Sequence, residues 1–442
     1  MGSHRRVHAK RWLTPATLLL SIAAGALLVG GASMRASPHG AAWSPPFVAH
    51  LTGLLAGYGV TVMLGMVSRV PMLERDVGAD RLARWHAVGG RFIFLLVAAH
   101  AVAATMTWIR GRHTSLWRGT GEVLRMPGVL AATAGTVLLL AVGYLSARRA
   151  RRKVSYERWH AAHLLMYVAV GLSFSHQLAG PDLAGTPALQ VAWSLLYCYV
   201  FALVLRYRLI APLHQAWRHS LVVQRIVPEA DGVASIVMKG RHLDELAAEP
   251  GQFFRWRFLN RHSWKSAYPF SLSAPPTDEL LRVTVKALGP GSTALHALRP
   301  GTRVLAEGPY GAMTERRRRK DHVLLIAGGV GVTPMRALFE KLSVPGRNLT
   351  LLYRASRASD VVFRDELDAI AEARGARVIY LVGPSSDAAN ALTPETLHTL
   401  VPNLHLHDVY LCASPAMSAA VRSALRGAGV ARSRLHEERF SF

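Results

Sequence analysis

The sequence predicts an all-α bundle of six transmembrane helices, followed by an antiparallel β-barrel and a doubly wound α/β domain. Six apolar stretches, each long enough to cross a bilayer, occupy the first half of the 442 residues. Short β-branched runs separated by turn residues follow, and then strands alternate with helical stretches to the end. We therefore expect three domains, over residues 1–212, 213–315 and 316–442.

The charge distribution separates a membrane half from a soluble half. Residues 1–212 contain six acidic residues against 22 Lys and Arg, whereas the remainder contains 21 against 30. The basic residues flank apolar stretches, so the net charge of +25 indicates membrane topology, and we expect no nucleic-acid partner. The composition excludes a disordered chain and a collagen, and two cysteines cannot form a disulfide scaffold.

The six apolar stretches are predicted to be membrane-spanning helices. A cleaved signal peptide would account for the first stretch but not for the other five. Arg91 is the only formal charge within them. The stretches run approximately over residues 13–33, 47–67, 86–109, 127–146, 160–178 and 188–205.

Lys and Arg lie mostly on one side of the predicted bundle. Sixteen lie at the N-terminus, in the loops after the second and fourth segments and at the end of the sixth, whereas five lie on the other side. Since cytoplasmic loops carry the excess of Lys and Arg, both termini are expected in the cytoplasm. The sequence thus predicts a multi-pass protein of the plasma membrane, with membrane lipid as a partner.

Four histidines in the third and fifth segments have matched spacing. His86 and His100 are 14 residues apart, and His163 and His176 are 13 apart, so each pair spans about four helical turns, roughly 20 Å, on one face. The two segments run in the same direction, so His86 is level with His163, and His100 with His176. Two facing imidazoles can bind a haem iron from both sides. We therefore predict two b-type haems, with these four histidines as the metal ligands.

Alternatives to these assignments remain open. A single intramembrane histidine is more simply explained as a polar group bonded to a neighbouring helix. His160 lies on a face similar to that of His163 and could replace it, although the spacing of His163 matches the other pair better. His50 could face the outer haem or lie at the membrane interface. Arg91 could pair with a haem propionate or extend toward the interface.

Two motifs in the predicted barrel suit a flavin dinucleotide, although the first could also be a core strand with a proline edge. An aromatic ring can cover the flavin ring, and a small hydroxyl can hydrogen-bond its reactive nitrogen region. The second motif places a cation and a turn rich in backbone amides where a pyrophosphate could bind. The residues of the two motifs are Tyr268, Pro269, Phe270, Ser271, Leu272 and Ser273, and Val285, Lys286, Gly291, Ser292 and Thr293.

The sequence LLIAGGVGVTPM lies between a predicted buried strand and a predicted helix. Its glycines would let the backbone approach a phosphate, and a proline in the first helical turn leaves free N–H groups directed at an anion. The motif lacks the G-x-G-x-x-G form, and a glycine turn needed only for packing is the alternative. The candidate nucleotide contacts are Gly328, Gly329, Val330, Gly331, Thr333 and Pro334.

Basic residues follow the next predicted strand, LTLLY. Arg354 and Arg357 could bind a 2′-phosphate, and no acidic residue is expected at that strand end to bind a free ribose hydroxyl. The sequence therefore favours NADPH over NADH. Solvated surface arginines are the alternative.

With these motifs in order, the chain resembles a ferric reductase/NADPH oxidase-type transmembrane flavocytochrome. Its first half resembles the ferric-reductase transmembrane domain, and its second half resembles the ferredoxin–NADP reductase module. The resemblance rests on the histidine pairs and on YPFSLS, AGGVGVTP, VYLCASPAM and the terminal ERFSF.

The resemblance implies that residues 268–271 contact FAD, with Tyr268 standing where the family often has His or Arg. It also implies that residues 291–293 lie at the FAD pyrophosphate and that residues 328–334 hold the nicotinamide nucleotide.

The resemblance also implies roles near the C-terminus. Cys412 would place the nicotinamide, with Pro415 as a further contact, although Ala413 and Ser414 depart from the usual Cys-Gly-Pro. Phe442 would be the terminal aromatic that stacks on the flavin and moves for hydride transfer. Together with Ser271, Cys412 and Phe442 are therefore the expected catalytic residues.

The expected activity is that of an NAD(P)H oxidase or ferric reductase. Electrons would pass from cytoplasmic NADPH through FAD and two haems to an acceptor on the opposite face. A flavin is needed because NADPH donates two electrons together, whereas a haem accepts one. Oxygen, giving superoxide, is the first expectation for the acceptor. A ferric chelate, or an external protein partner served by an electron-transfer subunit, is the alternative.

Overall fold

The computed structural model describes residues 14–36, 44–146, 154, 156–261, 263–264, 266–311, 313–384, 387 and 390–437. These residues form two compact units that divide between Ile210 and Ala211. The first unit is helical, and the strands found among the described residues belong to the second.

The helices of the first unit follow the apolar stretches. They are α1 (Pro15–Ala36), α2 (Pro45–Val67), α3 (Pro71–Asp76), α4 (Ala79–Arg112), α5 (Leu116–Leu124), α6 (Val129–Ser146), α7 (Tyr156–Leu172), α8 (Phe174–Ala179) and α9 (Pro187–Leu205), with a π-helical turn over Arg206–Ile210. Ser44 caps α2 by accepting a hydrogen bond from Phe47 N, and a proline occupies the first turn. Local capping signals therefore place the start of this helix.

Four helices among the described residues are long and apolar enough to cross a membrane. They cover Pro45–Val67, Arg81–Arg112, Val129–Ser146 and Pro187–His219, and a shorter apolar helix covers Pro15–Gly31. Only 6% of the apolar window within Arg81–Arg112 is buried inside the protein. Such outward-facing apolar surface is typical of a helix surrounded by lipid, so a helical, membrane-like region with four candidate spans is confirmed.

The fifth predicted segment is interrupted, which the sequence pattern did not indicate. Helix α7 ends at Leu172, and α8 begins at Phe174. Between them, the Ser173 hydroxyl donates to Ala169 O at 2.9 Å. Such a side-chain bond to the preceding turn competes with the helical ladder and bends helices.

The second unit begins with a helix and two three-stranded antiparallel sheets. The helix is α10 (Ala211–His219), and the strands are β1 (Val222–Ala230), β2 (Val233–Lys239), β3 (Phe253–Phe258), β4 (Tyr268–Ser271), β5 (Leu280–Lys286) and β6 (Val304–Tyr310), with the short helix α11 (Pro290–Ala294) after β5. The strand orders are β1-β2-β5 and β4-β3-β6. Single bridges, Val222–Arg303 and Leu272–Val283, join the two sheets.

The core between these sheets follows from the alternation of side chains. In β3, Phe254, Trp256 and Phe258 are fully buried, whereas the residues between them are partly exposed. Successive side chains of a strand point to opposite faces, so this strand supplies three large aromatic residues to one core.

A five-stranded parallel sheet forms the rest of the second unit, in the order β11-β10-β7-β8-β9. Its strands are β7 (His322–Gly328), β8 (Leu349–Ala355), β9 (Arg377–Val382), β10 (His407–Cys412) and β11 (Leu435–Glu437), and its helices are α12 (Val332–Lys341), α13 (Arg364–Arg374), α14 (Pro394–Leu400) and α15 (Pro415–Gly427). The order reverses direction at β7, which makes the carboxyl ends of β7 and β10 the place where ligands bind in such sheets.

Both faces of this sheet are covered. Leu325 of β7 belongs to a core cluster with Phe339 of α12, whereas the neighbouring Leu324 belongs to a second cluster with Leu425 of α15. A strand buried on both faces needs an uninterrupted apolar run, and VLLIA provides one. The predicted α/β domain is therefore confirmed.

Candidate functional site

The predicted histidines form two facing pairs within the first unit. The ring centres of His86 and His163 are 6.0 Å apart, and those of His100 and His176 are 6.2 Å apart. Helix α4 carries the first residue of each pair, and α7 and α8 carry the second residues.

These separations fit a metal ion held between two imidazoles. A bond from an imidazole nitrogen to a transition metal is about 2 Å long, so the two rings of a bis-imidazole complex have centres roughly 6 Å apart. No group of three or more His, Cys, Asp or Glu in the described part of the chain could hold a metal ion. A haem, which needs one ligand on each side, therefore suits the pairs better than a protein-only metal site.

Hydrogen bonds assign the tautomer of two of these rings. His86 Nδ1 lies 3.2 Å from Met63 O, and His100 Nδ1 lies 2.8 Å from Ala49 O. A carbonyl oxygen can only accept, so each Nδ1 carries a proton and each Nε2 keeps its lone pair. Such a second hydrogen bond is usual for histidines that bind metals.

The other two rings have different surroundings. His163 Nδ1 lies 3.4 Å from Ser146 Oγ, and the Trp159 indole stacks on the imidazole with ring centres 5.2 Å apart. His176 Nδ1 is buried, and no group among the described residues hydrogen-bonds it in good geometry. The ring that faces His86 is that of His163, whereas His160 lies beside Trp159.

A cavity of about 670 Å³ lies at the level of His100 and His176, and both line it. Gly53 lets the His100 ring approach α2 closely, because a Cβ there would lie 2.6 Å from His100 Nδ1. Large planar groups fit such mostly apolar sites between helices.

The two residues whose role the sequence left open lie in different places. His50 also lines the cavity, and its Nδ1 lies 2.7 Å from Asp182 Oδ1. Arg91 is exposed on α4. The position of His50 agrees with the first of its two alternatives, a residue that faces the outer pair.

The strand predicted to contact a flavin is β4, and its side chains differ in accessibility. The rings of Tyr268 and Phe270 are parallel, with centres 5.9 Å apart, and both are partly exposed. Ser271 Oγ is buried and has no hydrogen-bond partner among the described residues. An unsatisfied buried hydroxyl at a strand end is suited to a ligand that can bond to it.

Three of the predicted flavin contacts have side chains in the core, so only their backbone could meet a flavin. Leu272 is fully buried, and the buried Ser273 hydroxyl accepts a hydrogen bond from Thr284 Oγ1 at 2.8 Å. Val285 is also buried, and its carbonyl is 3.0 Å from His296 Nε2. The side chains of Tyr268, Pro269 and Phe270 are partly exposed, and burial begins at Ser271.

The predicted pyrophosphate turn approaches the same aromatic residue. A Cβ at Gly291 would lie 2.8 Å from Tyr268 OH, so a glycine is needed for this approach. The Ser292 hydroxyl oxygen accepts hydrogen bonds from the backbone amides of Leu288 and Gly289 and thus stabilises its own turn. Thr293 and the partly exposed Lys286 lie at the same end of β5.

The glycine-rich turn after β7 packs against the end of β10. A Cβ at Gly331 would lie 2.1 Å from Cys412 O, and one at Gly328 would lie 2.4 Å from Met417 Sδ. Packing therefore explains Gly328 and Gly331, in agreement with the alternative interpretation. Gly329 has a φ of +54°, a left-handed backbone conformation that favours glycine. The turn and Cys412 thus lie together at the carboxyl edge of the sheet.

Two further residues of this motif contribute little exposed surface. Thr333 and Pro334 are buried in the first turn of α12, and the Thr333 hydroxyl donates to Val330 O at 3.1 Å. Their side chains are therefore part of the packed helix start, and only backbone amides there remain to meet an anion.

The predicted role of Arg354 in binding a phosphate is wrong. Its side chain is 9% exposed, and its guanidinium donates to the carbonyls of Ala355, Leu381 and Gly383. Arginine is long enough to fold back over the strand ends, and these carbonyls hold it there.

Arg357 is placed differently, and an acidic residue beyond the strand end lies near it. Its side chain is 76% exposed and forms an ion pair with Asp360 at 3.0 Å. Asp360 lies six residues beyond Arg354, outside the strand end that the sequence pattern identified.

The residues after β10 also lie at the carboxyl edge of the sheet. Cys412 is buried at the end of β10, and Pro415 is exposed in the first turn of α15. The Ser414 hydroxyl oxygen caps this helix by accepting from Met417 N. Phe442 lies outside the described residues.

The structure brings in residues that the sequence analysis missed. Ser146 and Trp159 contact His163, and Arg282 and Glu366 join β5 to α13. The only sequence signal for any of them is the repeated Trp-His pair, at residues 85–86 and 159–160.

Comparisons with known proteins match both units. Residues 52–174 match the family described as ferric reductase like transmembrane component, and residues 325–423 match the oxidoreductase NAD-binding domain. Ferredoxin–NADP reductase B of Sorangium cellulosum is 32% identical over 232 residues, which cover 48% of this chain and 88% of that protein.

A second relative matches over a smaller share of its own length. The ferredoxin reductase component of 3-ketosteroid-9-alpha-monooxygenase from Rhodococcus rhodochrous is 28% identical over 228 residues, which cover 50% of this chain but only 64% of that protein. Among solved structures, the FAD/NAD-binding domain of nitric oxide dioxygenase from Vibrio cholerae is 24% identical, with a TM-score of 0.43 and coverage of 50% of this chain and 98% of that chain.

Proposed function

Because the chain belongs to the family that joins a ferric reductase-type transmembrane component to a ferredoxin–NADP reductase-type module, as in flavocytochrome fusions, we propose that it moves electrons across a membrane. In this proposal NADPH is the donor, FAD converts paired electrons into single ones, and two b-type haems connect the two faces. The acceptor on the far face is oxygen, which yields superoxide.

The two facing histidine pairs carry this proposal. Their ring separations of 6.0 and 6.2 Å suit two irons with one imidazole on each side. His86 and His163 would hold the inner haem, and His100 and His176 the outer one. Three of the four rings have a hydrogen-bond partner at Nδ1, which leaves Nε2 for the metal.

We propose that the chain crosses the membrane six times, with α1, α2, α4, α6, α7 together with α8, and α9 as the spans and residues 1–212 as the membrane domain. Both termini then lie in the cytoplasm of a plasma-membrane protein. The support is the excess of Lys and Arg on one side of the bundle.

The two antiparallel sheets form the proposed flavin barrel, over residues 213–315. The bridges Val222–Arg303 and Leu272–Val283 support closure of the two sheets into one barrel. Tyr268 and Phe270 would cover the flavin ring, and Ser271 Oγ would hydrogen-bond to it. The turn at Gly291 would hold the pyrophosphate.

Residues 316–442 form the proposed NADPH domain. Backbone amides of residues 328–334 would hold the pyrophosphate, and Cys412 would lie beside the nicotinamide. Arg357 takes over the 2′-phosphate contact, because it is exposed and Arg354 is held by carbonyls. Phe442 remains the proposed residue that covers the flavin until NADPH arrives.

A ferric chelate is the second candidate acceptor, and electron transfer to an external protein partner is the third. A bis-histidine iron has no open position, so any acceptor would react at the haem edge.

An optical experiment on the purified full-length chain in detergent tests the proposal. We expect about two haems per chain by pyridine haemochrome assay, and sharp b-type bands when NADPH is added with FAD under argon. Air or a ferric chelate should bleach the bands, and the rates rank the acceptors. Absence of haem would disprove the proposed relay. Haem that dithionite reduces but neither NADPH nor NADH reduces would disprove the proposed donor side.

A further inference from the structure

The Ser146 hydroxyl group has three polar neighbours. Its oxygen lies 2.8 Å from Val142 O, 3.1 Å from Trp159 Nε1 and 3.4 Å from His163 Nδ1. Ser146 is the last residue of α6, whereas Trp159 and His163 lie one turn apart on α7.

The proton inventory of these groups gives each hydrogen bond a direction. A hydroxyl donates one proton and accepts two. The Val142 carbonyl can only accept, so it receives the Ser146 proton. The indole N–H of Trp159 can only donate, so it occupies one lone pair of the Ser146 oxygen. His163 must then donate from Nδ1 to the remaining lone pair, which leaves Nε2 unprotonated, as metal binding requires.

Trp159 also holds the plane of the His163 ring. The two rings are stacked, with centres 5.2 Å apart and an angle of 25° between their planes. Because the indole N–H is bound to Ser146, both rings depend on the same oxygen for their orientation. His86 and His100 differ, since backbone carbonyls accept from them. A substitution cannot remove a backbone carbonyl, but it can remove the side-chain hydroxyl of Ser146, which is the Nδ1 partner of His163.

We propose that Ser146 and Trp159 are positioning residues that set the tautomer and the donor strength of His163, and thereby the reduction potential of the inner haem. This inference rests on the proposed function, because it requires a haem at the His86–His163 level. A hydrogen bond from Nδ1 makes imidazole a stronger donor to a metal. A stronger donor stabilises ferric over ferrous iron, so loss of the Ser146 acceptor raises the potential.

Trp159 has the opposite effect, because a second donor to the Ser146 oxygen weakens the bond that His163 makes to the same atom. A Trp159→Phe substitution keeps an aromatic ring for stacking but removes the second N–H donor. The bond from His163 to Ser146 then strengthens, and the potential falls. The two substitutions therefore shift one potential in opposite directions.

Potentiometric titration of the haem-loaded full-length chain tests this pair of shifts, with dithionite and ferricyanide as reagents and the b-type bands as the readout. We expect one of the two redox steps to move to more positive potential in Ser146→Ala and to more negative potential in Trp159→Phe. Ser146→Thr keeps a hydroxyl and should leave both steps in place. Ser21→Ala is the matched control, because Ser21 makes the same bond to the carbonyl four residues earlier, at 2.9 Å, on a helix without a haem ligand.

Several outcomes would overturn the inference. They are unchanged potentials in Ser146→Ala with both haems bound, shifts of the same sign in both variants, or an equal shift in Ser21→Ala. If Ser146→Ala loses one haem while Ser146→Thr keeps both, the inference is supported; if it loses both haems, Ser146 has a general structural role and the inference fails. A wild-type chain without haem overturns the proposed function as well, whereas a wild-type chain with two haems and an unshifted Ser146→Ala overturns this inference alone.

Discussion

Arg282 on β5 and Glu366 on α13 are joined by two parallel hydrogen bonds of 2.8 Å each. The same guanidinium donates to Ser273 O at 3.0 Å, two residues beyond Ser271. It also lies over the Phe363 ring, at 4.9 Å from its centre. One side chain thus connects the strand that carries the proposed flavin contact with the helix that follows β8.

Arg282→Met should weaken this connection. The change leaves the partly buried Glu366 carboxylate with Arg336 as its remaining partner, so we expect a loss of about 1–2 kcal/mol in stability. Flavin reduction by NADPH should slow, because it depends on how the proposed flavin barrel is placed against the proposed NADPH domain. Flavin reduction by dithionite should not change, because it does not depend on that placement. Thermal unfolding and stopped-flow absorbance measure the two effects. The exposed pair Lys239–Glu279 is the control: if Lys239→Met has the same effect, the connection has no special role.

His163→Ala and His160→Ala distinguish the two candidate ligands on α7. The first should lower the haem content from about two to about one per chain, because the ring that faces His86 is lost. The second should leave the haem content unchanged. Pyridine haemochrome assays on the two purified variants make this comparison. A loss of haem in His160→Ala alone would reverse the assignment.

Gly331→Ala should separate the glycine turn from β10. The new methyl group would lie 2.1 Å from Cys412 O, a backbone atom that cannot move away cheaply. We expect a loss of about 1–3 kcal/mol, as for other overpacked sites, and slower reduction by NADPH with unchanged haem content. Gly289→Ala is the stability control, because it has an extended backbone and open space around it. Equal thermal stability of the two variants would contradict the prediction.

Asp408 should make the stability of the second unit depend on acid pH. Burial raises the pKa of this carboxyl, but hydrogen bonds from His436 and from two backbone amides outweigh burial and hold the pKa below its ordinary value. A group whose pKa is lower in the folded state stabilises it above the unfolded pKa, about 4 for Asp, and loses this contribution as the pH falls further.

Asp408→Asn should therefore lower stability at neutral pH by about 1–3 kcal/mol and flatten its decline below about pH 4. Thermal unfolding of the full-length chain between pH 3 and 7 measures both effects. The exposed Asp278→Asn should preserve the wild-type profile. If the stability of Asp408→Asn declines below about pH 4 as steeply as that of the wild type, other groups cause the decline.

Arg357→Ala should reduce the preference for NADPH. Loss of a charge-assisted bond to the 2′-phosphate should lower kcat/KM for NADPH by about tenfold to a hundredfold, with little effect on NADH. Steady-state kinetics with both nucleotides test this prediction. Arg347, which is exposed near the opposite end of β8, is the control. If Arg357→Ala lowers kcat/KM equally for NADPH and NADH, the 2′-phosphate is not the partner of Arg357.

Local patterns in the sequence determined the kind of the long elements and the pairing of the histidines between two segments. Apolar stretches of bilayer length predict membrane helices, and the offsets of 14 and 13 residues place His86 and His163 at one level and His100 and His176 at another. The apolar run before Gly328 likewise predicts a strand buried on both faces. These features depend on residues within a few turns of each other, so the sequence is sufficient for them.

Only the tertiary structure decided which groups each side chain meets. Arg354 bonds to carbonyls of two strands, Gly331 is required by Cys412, and Ser146 contacts His163 from another helix. Each contact joins residues that are distant along the chain or depends on how a long side chain folds back over the strand ends. The approach of those elements results from packing of the whole unit, and no local pattern encodes it.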